Sequence, residues 1–136
     1  MRPRQLVGVF LVFCLGCGSG GPYRYVAVDG MLSYEDGSSI PAGGIQLKFI
    51  ALDPPAVEGA TPRPAIAHLD SEGKFEFATS YKFGDGLIPG KHKVVILYAK
   101  DKDGKPLIPA EYASTTKTPL VIDTGSLPIE IKVPRP

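Results

Sequence analysis

Leu127-Pro128-Ile129-Glu130-Ile131-Lys132-Val133 is the stretch whose reading decides the fold. Leu127, Ile129, Ile131 and Val133 alternate with Pro128, Glu130 and Lys132. A period of two places the apolar side chains on one face of an extended strand, whereas a helix would spread them around its circumference. Working back along the chain, Leu120 and Ile122 start a similar segment, and Val94, Ile96 and Tyr98 share a phase within Lys91–Ala99. Phe75 and Phe77 alternate with Lys74 and Glu76, and Ile45, Leu47 and Phe49 alternate with Gln46 and Lys48. Ile66–Leu69 is a weaker candidate strand, and Val26, Val28, Leu32 and Tyr34 outline the first, bent at Gly30.

Turn chemistry separates these segments. Glu35-Asp36-Gly37, Asp70-Ser71-Glu72-Gly73, Pro89-Gly90, Asp103-Gly104 and Thr124-Gly125-Ser126 all combine residues that hydrogen-bond locally, fix φ or tolerate positive φ. The 136 residues include 16 Gly and 14 Pro, a frequency that long helices would not tolerate. With 43% hydrophobic residues the chain can still bury a core. The expected fold is all-β: a seven-stranded antiparallel β-sandwich of two sheets, built from residues 23–136. Two longer connections, 53–64 with four prolines and 100–119, are the places to look for a partner surface.

The first residues have a different character. Met1-Arg2-Pro3-Arg4 is basic, Leu6–Leu15 is an apolar run of ten, and Gly16-Cys17 follow. This is the order of a secretory signal. Ten residues in a helix rise only about 15 Å, half of a bilayer's hydrocarbon thickness. Leu15-Gly16-Cys17 resembles the lipobox of bacterial lipoproteins, with Cys14 standing where that motif usually has Leu. The resemblance implies a signal peptide over residues 1–16 and acyl chains on Cys17. Residues 17–22 then form a Gly/Ser-rich tether, and the membrane is the first partner. The expected location is the bacterial cell envelope.

Short motifs in the remainder are similar to those of a family. Val28-Asp29-Gly30, Asp70-Ser71-Glu72-Gly73-Lys74-Phe75 and Ile88-Pro89-Gly90-Lys91-His92-Lys93-Val94 resemble a carboxypeptidase-regulatory-like, or transthyretin-like, β-sandwich. Ile108-Pro109-Ala110-Glu111-Tyr112 and Thr118-Pro119-Leu120 resemble small lipoproteins of planctomycete bacteria, so the likeness spans residues 14–133. It implies a seven-stranded sandwich on a lipidated cysteine, and it carries no catalytic residues across. Transthyretin-like hydroxyisourate hydrolases end in Tyr-Arg-Gly-Ser, whereas this chain ends Lys132-Val133-Pro134-Arg135-Pro136.

Charge and composition narrow the function. Removing Arg2 and Arg4 with the signal leaves thirteen basic against fourteen acidic residues, with no basic stripe and no Trp, which argues against nucleic acid. His68 and His92 are the only histidines and would need carboxylates to complete a metal site, so no metal or other cofactor is expected beyond the lipid on Cys17. Asp101-Lys102-Asp103-Gly104 begins like a calcium loop, but Glu111 falls one position short of the required bidentate ligand. No serine occupies a Gly-x-Ser-x-Gly elbow. The chain is therefore expected to be a non-enzymatic interaction or structural module, with envelope proteins or polysaccharide as partners; the alternative is a polysaccharide- or peptide-binding module that uses the 53–64 and 100–119 connections. Tyr112, Tyr23 and Tyr25 are the candidate contact residues, because Tyr offers both an apolar face and a hydroxyl.

Overall fold

The computed structural model describes residues 21–136, so the expected signal peptide over 1–16 and Cys17 lie outside the described residues. Among the described residues, seven strands and one 3₁₀ turn make up the regular structure. The strands are β1 (Gly30–Tyr34), β2 (Gln46–Ala51), β3 (Ala65–His68), β4 (Lys74–Phe75), β5 (Lys91–Leu97), β6 (Val121–Asp123) and β7 (Ile129–Val133). They form two sheets, one of three strands in the order β4-β1-β7 and one of four in the order β3-β2-β5-β6.

The sheets are not uniformly antiparallel as the sequence suggested. β1 pairs with β4 antiparallel but with β7 in parallel, from Gly30 opposite Ile129 to Tyr34 opposite Val133. Alternation reports which side chains face inward and is blind to the direction of the neighbouring strand. A parallel partner must arrive through a long crossover. Here nearly the whole chain serves as that crossover.

One apolar core spans both sheets. Leu32, Tyr34, Phe75, Ile129, Ile131 and Val133 from the first sheet meet Leu47, Phe49, Ala65, Ala67, Val94 and Ile96 from the second. Phe49 of β2 and Phe75 of β4 join the two sheets directly, their ring centroids 6.0 Å apart at 54°. Each such side chain removed from water contributes about 1.5–3 kcal/mol. The exposed intervening residues Glu130 and Lys132 give β7 the strict alternation read in its sequence.

Two predicted strands are shorter than their patterns. The alternation of Phe75 and Phe77 suggests that β4 continues, yet pairing with β1 stops at Phe75. Beyond it the chain crosses to the other sheet, where Thr79 and Ile66 exchange backbone hydrogen bonds of 2.9 and 3.0 Å. Similarly, residues 26–29 leave the first sheet, and Val26 forms an isolated bridge with Leu87. The 100–119 connection is ordered by the 3₁₀ turn Ala110–Ala113, which packs against β5.

His92 lies buried in β5, with its Nε2 2.7 Å from the Ile88 carbonyl and its ring edge-on to Phe49. Since a carbonyl only accepts, Nε2 carries the proton, and the buried Nδ1 has no hydrogen-bond partner among the described residues. Burial pushes its pKa below the ordinary 6.5, against a weaker opposing pull from the Ile88 bond. The neutral form is therefore favoured in the fold, and the unfolded chain binds the proton more readily. Stability is expected to be full above about pH 6.5 and to fall as the pH drops below it. His92→Gln, which keeps a donor toward Ile88, should flatten that decline in denaturant titrations followed from about pH 7 to pH 5.

Candidate functional site

Between Gly21 and Arg63 three separate stretches of chain converge on one cleft. Tyr23 and Tyr25 come from the segment leading into β1, Gly59-Ala60-Thr61 and Arg63 from the proline-rich 53–64 connection, and Tyr81 from the turn after β4. The cleft measures about 500 Å³, within the range of small-ligand sites. Tyr23 is only 5% exposed, and its hydroxyl donates to the Ala60 carbonyl at 3.3 Å, so it fastens the 53–64 connection to the domain. Tyr25 is half-buried and its ring lies directly over Gly21: a Cβ there would stand 2.4 Å from the ring. Burial raises the Tyr25 pKa, and the negative charge of Asp85 raises it further, so its hydroxyl stays a hydrogen-bond donor at neutral pH. Arg63 sits over the Tyr81 ring, 4.9 Å from its centroid.

The position of Tyr81 is set by a carboxylate. Asp85 accepts backbone N–H bonds from Ser80 at 2.7 Å, Tyr81 at 3.0 Å and Lys82 at 2.8 Å. The Gly84 amide donates to the Thr79 hydroxyl at 3.0 Å. Gly86 then has φ +102°, and a side chain there would meet the Val26 carbonyl oxygen at 1.8 Å. Only glycine permits the Val26–Leu87 bridge that draws this turn against the Tyr23–Tyr25 segment.

Of the three tyrosines expected to make contacts, the structure brings Tyr23 and Tyr25 together. Tyr112 does not join them: it lies in the 3₁₀ turn, half-buried against the core. The 53–64 connection lines the cleft and the 100–119 connection does not. A smaller apolar hollow of about 210 Å³ lies beside the latter, lined by Ile96, Tyr98, Pro106, Ile108 and Ala113 among others. Tyr98 borders it in the left-handed region at φ 64°, unusual for an aromatic residue.

The remaining sequence candidates resolve into structural roles. Asp101 accepts the amides of Asp103 and Lys105, both at 2.9 Å, closing a hairpin turn with the carboxylate that a calcium loop would need. His68 pairs opposite Gln46 and His92 opposite Ala51, at the two ends of β2. Five strand positions separate the histidines by about 16 Å, too far to share a metal. Among the described residues no three His, Cys, Asp or Glu side chains group as metal ligands, and no helix is long and apolar enough to cross a membrane.

Arg63 and Asp85 were not foreseen, and Tyr81 was not among the tyrosines singled out as contact residues. Their available signal was the run Tyr81-Lys82-Phe83-Gly84-Asp85-Gly86, which carries turn residues and two aromatics but lies between strand patterns. Asp85→Ala should leave three backbone donors without their carboxylate and cost about 1.5–3 kcal/mol, measured by denaturant unfolding. Faster hydrogen exchange at Ser80, Tyr81 and Lys82 should accompany the loss. Compared with known proteins, the chain matches no family model, no curated protein and no solved structure.

Proposed function

We propose that this protein is a non-enzymatic lipoprotein of the bacterial cell envelope, held in its membrane by acyl chains on Cys17. Its two sheets pack as a sandwich of the carboxypeptidase-regulatory-like kind and serve as an interaction module. The observation that carries this reading is the cleft itself, where Tyr25, Tyr81 and Arg63 present flat aromatic and guanidinium surfaces beside the backbone of Gly59–Thr61. Such faces stack on the apolar faces of sugar rings, while the phenol and guanidinium groups donate to hydroxyls. An envelope polysaccharide is the partner this chemistry suits best.

The reading is tested in two measurements. Fatty-acid labelling and detergent-phase partitioning should mark the wild type and be lost in Cys17→Ala; an unlabelled, water-soluble wild type would refute the anchor. Isolated envelope polysaccharide should bind the purified protein, and Tyr81→Ala should weaken that binding at least about tenfold, or ~1.4 kcal/mol, with an unchanged circular-dichroism spectrum. Absence of binding by the wild type would refute the polysaccharide, leaving an envelope protein as the partner to seek.

A further inference from the structure

The turn that positions Tyr81 also projects Phe83, the most exposed of the large apolar side chains among the described residues, at 84%. Its ring leans against Phe77, with centroids 4.7 Å apart and the planes tilted by 57°. The turn beneath it is fixed by the three amides on Asp85 and by the Gly84–Thr79 bond. Single exposed apolar residues are common on protein surfaces; what sets Phe83 apart is that the turn carrying it is braced by the Asp85 carboxylate. Lys82 precedes it and Tyr81, carrying Arg63 over its ring, stands two positions before it in the same turn, whose own carboxylate accepts backbone amides. Aromatic rings interleaved with cations form the composition that settles at the headgroup level of a bilayer.

The route of the chain identifies which bilayer. Gly21 lines the same cleft as Tyr81 and Arg63. Cys17 precedes Gly21 by four residues, a reach of at most about 14 Å. Acyl chains on Cys17 therefore hold this side of the domain against the membrane. Resting on the anchor reading above, we propose that Phe83, with Lys82 next to it in the chain, enters the interfacial layer of the membrane that holds the acyl chains. The lipid supplies attachment, and the aromatic turn supplies orientation by fixing which face of the domain looks down.

The processed, full-length chain in vesicles of phosphatidylcholine and phosphatidylglycerol tests this. A polarity-sensitive fluorophore is attached at Phe83→Cys and, for comparison, at Glu35→Cys. Glu35 follows the far end of β1, whereas the Phe83 turn lies beyond Gly30, since Phe75 pairs opposite Gly30 and Val26 opposite Leu87. Fatty-acid uptake is measured in the same preparations. The expected result is blue-shifted emission at position 83, quenched by brominated lipid, with water-like emission at position 35, quenched by aqueous iodide. Water-like emission at both positions in acylated protein would overturn the membrane contact while leaving the anchor intact. Chains without fatty acid would overturn the anchor and the contact together.

Discussion

The fold depends on the parallel pairing of β1 with β7. Without β7 the three-stranded sheet is reduced to β1 and the two residues of β4, too little to stand alone in water. The ladder runs on past the strand ends, where Ile129 donates to the Asp29 carbonyl and Glu35 to that of Val133. Five of the buried core side chains, Leu32, Tyr34, Ile129, Ile131 and Val133, belong to this pair. The tail past β7 reinforces it: Arg135 lies over the Tyr34 ring at 4.2 Å and donates to Asp36 at 3.0 Å. The Ser38 hydroxyl and amide, together with Arg135, hold the Asp36 carboxyl down at about 2, so the latch keeps its charge at any ordinary pH. Because β1 and β7 are the first and last strands, the apolar face of the sheet is complete only when the rest of the chain has returned. Such non-local closure makes folding slow and cooperative rather than piecewise.

The cleft is a by-product of how the chain changes sheets. After Phe75 it leaves β1, and by Thr79 it is bonded to β3 of the other sheet. The excursion from Ser80 to Gly86 is the slack in that crossing, drawn tight by Asp85 below and by the contact of Gly86 with the Val26 backbone. The 53–64 connection meets it from the other side, held through Tyr23 and Ala60. A groove between two braced loops needs little rearrangement to receive a ligand, which lowers the entropy lost on binding. The Asp85 carboxylate that braces one side of the groove also fixes the turn on which Phe83 is exposed.

Much of the architecture was legible in the residues, for an identifiable reason. Inward-facing positions repeat every second residue, so β2, β5 and β7 were found with boundaries close to those observed. Strand direction leaves no such trace, and the parallel neighbour of β1 was missed. Phe77 carries the pattern of a strand but belongs to a crossing, because the order Glu76, Phe77, Ala78 breaks the phase: Ala78 is buried where alternation would expose it. Tyr112, Tyr23 and Tyr25 were named together, yet Tyr23 and Tyr25 share their cleft with Tyr81, because the Val26–Leu87 bridge, a single pairing far apart in sequence, draws the turn after β4 against their segment. Tyr112 looked free in its loop until the 3₁₀ turn folded it onto the core.

The direction of β7 also decides how the domain would bear a load. The chain enters β1 at the Gly30 end and leaves β7 at the opposite, Val133 end, because the two strands run the same way. A force pulling the two ends of the domain apart therefore slides β1 and β7 along each other instead of peeling one from the other. All the rungs of the ladder resist together, and rupture waits for a rare simultaneous event governed by the unfolding rate. In an antiparallel arrangement the bonds would have parted one at a time, like a zipper. For a domain held at its amino-terminal end and pulled from beyond Pro136, this geometry acts as a mechanical clamp.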